Sequence, residues 1–196
     1  MASTLKTGRP RSESTKDAIL FAAYALLVDR GYEGLALDAV AQAAGAGKTT
    51  IYRWWNSKAE LAVDAFFHGT KKELTFPDTG SAKSDFMEQI FELAALLRGP
   101  RGAALAAMLV GARSDPQLAM ALREKWLNPR RQWGFARMAK AKEIGELMPG
   151  VDVGAALAVL YSPVYTPLLF GQPVPDEASI ARIFDIACRG IFANAN

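Results

Sequence analysis

The chain has 196 residues, 51% of them hydrophobic, and a formal net charge of +3. This composition is enough to bury a substantial core, which excludes a globally disordered chain. No apolar run is long enough to span a bilayer and no signal-peptide core is visible, so we expect a cytoplasmic protein with no membrane partner. One cysteine, Cys188, excludes an internal disulfide, and a single histidine, His68, leaves little material for a zinc site.

The excess positive charge is concentrated in the first third of the chain. Residues 1–58 hold eight Lys or Arg and five Asp or Glu, whereas residues 59–196 hold fifteen of each. This distribution is typical of a small anion-binding module joined to a neutral body, although three charges are few enough to arise by chance.

The N-terminal third predicts a flexible basic segment followed by short helices. Residues 1–12 are polar, and we expect them to form a flexible arm. A first helix is predicted to begin near Ser14, which has capping-box spacing with Asp17, and to end at Gly31.

Two further helices and a longer one should follow. Leu37 to Ala44 predicts a second helix with Gly45 at its C-terminal end, and a third runs from about Gly47 to Trp54. Ser57 and Glu60 form a capping box that opens a fourth helix at about 57–75.

Beyond a loop at Pro77 to Gly80 the apolar pattern stays helical, and we find no strand alternation. Residues 103–112 are apolar on almost every side and are therefore expected to be buried. Asp115-Pro116 marks a helix start, and Pro129 is a possible kink. Two strongly apolar helices are predicted at about 152–170 and 177–193.

Gly47-Lys48-Thr49 has the form of the last residues of a phosphate-binding loop. Such a loop needs a glycine at position 42, which is Gln42, and it must follow a buried strand. Asp38 to Ala44 is instead Ala-rich and helical. A nucleotide-binding enzyme using Lys48 therefore stays only as a third, weak alternative, which an absence of ATP or GTP binding would remove.

The same segment fits the second helix of a helix-turn-helix. Ile51, together with Trp55, is the expected apolar anchor, and the remaining polar and aromatic side chains then face outward. Arg and Lys can bond guanine edges or phosphates, and Thr and Tyr can reach phosphate oxygens. Lys58 lies at the next helix start, where free N–H groups favour phosphate. The candidate DNA-binding residues are Arg9, Arg11, Lys48, Thr49, Thr50, Tyr52, Arg53, Trp54 and Lys58.

Residues Gly8 to about Phe67 resemble the DNA-binding domain of tetracycline-repressor-type (TetR/AcrR) transcriptional regulators. The resemblance rests on several short pieces in the right order, namely Gly8-Arg9-Pro10-Arg11, Ile19-Leu20, Ala22-Ala23, Gly31-Tyr32, Asp38-Ala39-Val40-Ala41, Ala44-Gly45, Thr50-Ile51-Tyr52 and Ser57-Lys58. It implies a homodimer that binds a near-palindromic DNA operator and responds to a small-molecule effector.

One departure from the family pattern lies before the second helix. The family usually has Thr or Ser there, to cap the helix and contact phosphate, whereas this chain has Leu35 and Ala36. This departure supports an alternative of another class: a helical small-molecule-binding or scaffold protein with a degenerate DNA-binding head.

The C-terminal two-thirds resembles the family only in size and helical character. Its aromatic and Met side chains could line an effector pocket for an apolar or aromatic compound, although each one alone is more typical of ordinary core. We interpret Arg130 and Arg131 as a solvated face. The candidate pocket residues are Met108, Trp126, Trp133, Phe135, Tyr161 and Tyr165.

The two C-terminal helices carry more apolar side chains than one side of a small body should bury, so we predict a four-helix interface with a second copy. The candidate interface residues are Leu157, Leu160, Val164, Leu168, Ile180, Phe184 and Cys188. Cys188 is expected to be a small interface hydrophobe.

These patterns together predict an all-α protein with a three-helix DNA-binding head and a larger helical body. We expect the arm at 1–12, the head at 13–56, and an effector-binding and dimerisation body at 57–196, with the helix at 57–75 as the link. The predicted function is ligand-responsive transcriptional repression. No nucleophile–base pair or carboxylate pair is present to support catalysis, and no cofactor or metal is expected.

Overall fold

The computed structural model describes residues 11–70 and 77–193, in which loops connect helices and no strand is formed, and this confirms the all-α prediction. A π-helical turn, Arg123–Leu127, joins two of the helices, and Leu147 and Phe192 form an isolated antiparallel bridge. The helices are α1 (Arg11–Arg30), α2 (Leu37–Ala43), α3 (Lys48–Tyr52), α4 (Lys58–Thr70), α5 (Ala82–Leu97), α6 (Pro100–Gly111), α7 (Pro116–Leu122), α8 (Asn128–Glu143), α9 (Val153–Leu169) and α10 (Glu177–Ile191).

Helices α1 to α3 form a small unit at the N-terminal end. Helix α1 begins at Arg11, so the predicted start at Ser14 is wrong and Ser14 lies within the first turn. Gly31 and Gly45 follow α1 and α2 with φ of +68° and +61°. Only glycine adopts this conformation without strain, so both predicted helix ends are confirmed.

The core of this unit is apolar and closely packed. Its central side chains are at most 2% exposed, and they come from α1, the loop before α2, α3 and the residues after α3. They are Ile19, Leu27, Leu35, Ile51 and Trp55. Burying each of the larger side chains stabilises the fold by about 1.5–3 kcal/mol, so α3 is held firmly despite its five residues.

Helix α4 packs along α1 and continues toward the rest of the molecule. Ser57 Oγ accepts a hydrogen bond from the Glu60 N–H at 3.2 Å, as the capping box predicts. The Glu60 carboxylate accepts from the N–H of Asn56, at 3.0 Å, so it reaches one residue beyond the expected partner. Residues 71–76, the last part of the predicted helix, lie outside the described residues.

Helix α6 differs from its sequence-based prediction. Ala104, Leu105 and Met108 are buried, but Ala103 is exposed and Val110 is 53% exposed. The expectation that residues 103–112 are buried all round is therefore wrong. The helix contacts α1, α5, α7 and α9 on one face, and its small alanines allow the other face to meet solvent.

The helical chain contains an irregular, π-helical turn just before Pro129, and a regular α-helix follows. Asp115 caps α7 through its carboxylate, which accepts from the N–H groups of Gln117 and Leu118 at 2.9 and 3.1 Å. The π-helical turn follows α7 without a break. Pro129 is the second residue of α8, and because the preceding residues are already helical its missing N–H leaves one backbone hydrogen bond unmade. Turns of this kind often occur at functional sites.

Among the described residues, no single helix is long and apolar enough to cross a membrane. Only α5 and α6 taken together, with an 89° bend between them, reach that length and composition.

A buried ionic cluster connects α5 to α8 and to the loop after α8. Arg137 Nε lies 2.5 Å from Asp85 Oδ2, and its Nη2 lies 3.3 Å from Glu146. The other Asp85 oxygen accepts from the hydroxyl and the N–H of Thr79, at 2.7 and 2.6 Å. Asp85 is fully buried, so every one of these contacts compensates for lost hydration.

We predict that Asp85→Ala destabilises the protein by about 3–5 kcal/mol, because it leaves Arg137 as a buried charge with one partner fewer. Burial raises the pKa of Asp85, but the hydrogen bonds from Thr79 and the Arg137 charge outweigh it and hold this pKa below its ordinary value. The contribution is therefore complete above a pH of about 4 and is lost as the pH falls through the lower folded value.

Urea unfolding at a series of pH values measures how the contribution of Asp85 to the free energy of unfolding depends on pH. The wild-type protein should lose stability below a pH of about 4 more steeply than Asp85→Ala does. Parallel pH profiles for the two proteins would contradict the assignment.

Candidate functional site

Helix α3 presents one apolar side to the core and its other sides to solvent. Ile51 is 1% exposed and Trp55 is 2% exposed, which places the predicted anchor inside. Tyr52 is 50% exposed, and Lys48, Thr49 and Arg53 are exposed as well. Thr50 is half-buried. The outer surface of α3 thus carries two cations, two hydroxyl groups and no carboxylate.

Lys48 is the first residue of α3, where the positive end of the helix dipole disfavours a cation. Asp38 of α2 compensates, with its two oxygens 2.9 and 3.1 Å from Lys48 Nζ. Both side chains are solvent-exposed, so water screens the pair and it adds little to stability. The hydrogen bond to Asp38 and the charge of Asp38 raise the pKa of Lys48. The ammonium group therefore stays charged and can pair with another anion.

The two tryptophans after α3 have different roles. Trp55 donates its indole N–H to Asp64 Oδ2 of α4 at 2.8 Å. Trp54 is half-buried and packs edge-on against Trp55, with ring centroids 5.8 Å apart. The guanidinium of Arg53 lies 4.6 Å from the Trp54 ring centroid. Trp54 therefore covers the core and supports Arg53 from below.

Lys58 is turned toward the loop between α1 and α2. Its Nζ lies 4.4 Å from the Tyr32 ring centroid and donates to the Glu33 carbonyl at 3.3 Å. The Tyr32 hydroxyl donates to Asp115 Oδ2 at 2.6 Å, and this contact joins the N-terminal unit to α7. Burial, and then the Asp115 hydrogen bond, raise the pKa of Tyr32, so its hydroxyl stays protonated.

The start of α2 lacks a side-chain cap. Leu35 is 1% exposed and fills the core, while Ala36 occupies the N-cap position without any side-chain hydrogen bond. Arg9 lies outside the described residues, and Arg11 begins α1 with its side chain outside the description. The arm therefore stays a prediction for residues 1–10, whereas residues 11 and 12 of the predicted arm belong to α1.

A cavity of about 320 Å³ lies between α8 and α9, within the size range of small-molecule sites. Three of the six candidate pocket residues line it: Phe135, Tyr161 and Tyr165. Tyr161 donates to Gln89 Oε1 at 2.7 Å. Burial raises the pKa of both tyrosines, so both hydroxyl groups are neutral.

The other three candidates lie elsewhere. Met108 is fully buried in α6, and Trp133 is 45% exposed on α8. Trp126 is 1% exposed and packs edge-on against Phe66 and Phe67 of α4, at 5.0 and 5.8 Å between centroids. The sequence pattern could not separate these from the cavity residues because all six are large and lie on helices.

The interpretation of Arg130 and Arg131 as a solvated face is wrong for Arg130. Arg131 is exposed, but both arginines line the cavity. The Arg130 guanidinium lies 3.3 Å from the Trp126 ring centroid and 5.3 Å from that of Phe67. Burial lowers its pKa to about 10. Nothing in the sequence distinguishes it from its neighbour.

All seven candidate interface residues are at most 7% exposed within a single protomer. The argument that one body cannot bury them therefore does not hold, because α9 and α10 pack against each other and against α5. Burial also raises the pKa of Cys188 to about 11, which keeps its thiol protonated and unreactive. The large apolar side chains that these helices do expose are Val159, Leu169, Ile183 and Ile186.

Asp64 connects the end of α3 to the π-helical turn beside the cavity. One carboxylate oxygen accepts from the Trp55 indole at 2.8 Å, and the other lies 2.6 Å from Lys125 Nζ. Lys125 directly precedes Trp126, on which Arg130 stacks. Sequence analysis missed Asp64 because its partners are distant in the chain, and only their packing brings them together.

Comparison with known proteins agrees with this arrangement. Residues 19–65 match the family described as bacterial regulatory proteins, tetR family, and residues 76–187 match the tetracyclin repressor-like C-terminal domain. The HTH-type transcriptional regulator YdeS of Bacillus subtilis is 31% identical over 190 residues, which is 97% of this chain and 96% of YdeS.

Two further proteins support the assignment. The DNA-binding transcriptional repressor TetR of Mycobacteroides abscessus is 31% identical over 89% of this chain and 92% of its own length. The crystal structure of the TetR family transcription regulator SCO0332 is 32% identical, covers 90% of this chain and 98% of its own, and superposes with a TM-score of 0.76. These proteins are transcriptional regulators rather than enzymes, and the chain belongs to the tetR family of bacterial regulators.

Proposed function

We propose that this chain is a ligand-responsive transcriptional repressor that binds a near-palindromic operator as a homodimer and is released by a small apolar or aromatic effector. The observation that carries the proposal is the exposed surface of α3, where Lys48, Thr49, Tyr52 and Arg53 surround a buried Ile51. This surface presents hydrogen-bond donors, and the phosphate oxygens and guanine edges of DNA are acceptors for them. We further propose the domain boundaries given by the sequence, with α4 as the link.

DNA binding can be tested without knowing the operator. The wild-type protein first selects duplexes from a random-sequence pool, and these duplexes serve as the probe. Arg53→Ala should then weaken binding by about tenfold or more, as expected when a base or phosphate contact is lost. Lys48→Ala should flatten the dependence of log affinity on log salt by about one unit.

Lys142→Ala is the matched control, because Lys142 is an exposed cation on α8 and should leave both quantities unchanged. If the wild-type protein selects no duplex from the pool, DNA binding is refuted and the scaffold alternative is favoured. The uncapped start of α2 at Ala36 supports that alternative. Unchanged affinity in both α3 variants would refute the role of α3.

The dimer interface is proposed on the outer face of α9 and α10, and not on the buried residues first considered. Val159 and Ile183 line one shallow crevice between the two helices, and Ile183 and Ile186 are three residues apart on α10, hence on one face. Their exposed fractions are 51%, 40% and 69%. A continuous apolar surface of this kind is typical of a protein interface.

We predict that Ile186→Asp converts the dimer to a monomer at micromolar concentration, because it places a charge in the apolar contact. Val110→Asp, at a side chain 53% exposed on α6, should leave the dimer intact. Sedimentation velocity distinguishes the species. A wild-type monomer at micromolar concentration, or a dimer that tolerates Ile186→Asp, would contradict the proposed interface.

Effector release requires that the cavity and α3 influence each other, and Asp64 is the contact we propose for this coupling. Trp55 fixes one oxygen of Asp64 at the end of α3, and Lys125 fixes the other beside the cavity. Trp126 packs on the same helix through Phe66 and Phe67. A ligand that moved the π-helical turn would therefore shift α4 relative to α3. Its effect cannot exceed its difference in affinity for the two conformations.

We predict that Asp64→Asn reduces the effect of a bound ligand on duplex affinity, because the neutral amide cannot hold the Lys125 charge. Asp29→Asn serves as the control, since Asp29 is an exposed residue on α1 whose ion pair is with its neighbour Arg30. Duplex affinity is measured with and without saturating ligand in each protein. The same ligand effect in Asp64→Asn and in the wild-type protein would contradict this route.

A further inference from the structure

Arg130 is a cation in the wall of the cavity without an acidic partner. In the described ranges 11–70 and 77–193, its hydrogen bond runs from Nη1 to the Trp126 carbonyl, at 3.2 Å, and it forms no ion pair. Its Nε is buried and makes no hydrogen bond. The guanidinium also lies over two aromatic rings, those of Trp126 and Phe67.

Arg137, a structural arginine on the same helix, differs from Arg130 in having acidic partners. It lies seven residues further along α8, two helical turns away, and carries Asp85 and Glu146 as partners. An arginine that is buried for stability alone is expected to have such partners, because an unpaired charge loses its hydration without compensation. Arg130 is stabilised by stacking but lacks the anion.

The remaining lining favours an apolar body. Most of the other residues that line the cavity are aliphatic or aromatic, including Leu127, Phe135 and Leu157. The Tyr161 hydroxyl is already bonded to Gln89. Among the described residues no carboxylate lines the cavity, so a cationic ligand would meet a like charge there.

We propose that the cavity binds amphipathic monocarboxylates, with the carboxylate paired to Arg130 and the apolar or aromatic part against Phe135 and Leu157. A planar carboxylate matches the planar array of N–H donors that a guanidinium offers, and the apolar lining would partly shield the pair from water. Naming these compounds as the effector rests on the proposed function, whereas their binding does not.

The probes are linear C8–C12 and aryl-substituted carboxylates, each paired with its own primary carboxamide of the same shape. Binding is measured by titration calorimetry and by the fluorescence of Trp126, which the ligand should change. In the wild-type protein at least one carboxylate should bind tenfold or more tightly than its amide. Arg130→Met should abolish this preference for the acid and keep the affinity for the amide. Arg130→Lys should reduce the preference without abolishing it.

Arg123→Met, at an exposed arginine of the π-helical turn that does not line the cavity, should keep the full preference. Equal binding of every acid and amide pair would overturn the proposal, and so would a preference that survives in Arg130→Met. If Arg130→Met does not fold, Arg130→Lys decides, since an undiminished preference there would overturn it too.

Duplex binding separates this proposal from the proposed function. Carboxylates that bind through Arg130 without affecting duplex affinity would refute ligand-responsive regulation and leave the site intact. Duplex release by the amides but not by the acids would refute the carboxylate site and leave the regulator intact.

Discussion

The fold depends on one helix, α4, that packs against α1 of the N-terminal unit and against α7 within one apolar core. Its apolar side chains Leu61 and Phe66 are at most 1% exposed, packed between α1 on one side and the α7 segment on the other. The carboxylate of Asp64 in this helix contacts the Trp55 indole with one oxygen and the Lys125 ammonium group with the other. Because close-packed interiors do not deform continuously, we expect a shift of α4 to alter its packing on both of these sides. This shared packing is what makes a two-part regulator from a chain of this length.

Local signals in the sequence were enough for the helices and for the surface of α3. Gly31, Gly45 and the Asp115-Pro116 start act through backbone conformation and capping, which depend on neighbouring residues. The burial of Ile51 follows from the short spacing of α2 and α3. The interface residues could not be assigned in this way, since Leu160 and Ile183 are equally apolar and only the packing of α9 on α10 decides which is covered.

Two arginines on α8 illustrate a similar limit. Arg137 and Arg130 have the same chemistry in the sequence, but one lies between two carboxylates and the other against two aromatic rings. The lowered pKa of Arg130, about 10, reflects the burial of a charge for which the described residues supply no counter-ion. Proteins commonly keep such locally unfavourable groups at binding sites, where a ligand supplies what is missing. The fold thus uses Arg137 to fix α8 and leaves Arg130 available.

The most direct test of the account is the distance between the two heads of the dimer. Spin labels at Ala43→Cys, an exposed residue at the end of α2, in a Cys188→Ala background would report it by pulsed electron paramagnetic resonance. We predict one defined distance with a DNA duplex bound, set by recognition helices ~34–36 Å apart, and a different distance when a saturating cavity ligand is bound. The same distance distribution in both states, or no inter-subunit distance at all, would contradict the coupling of cavity and head through α4.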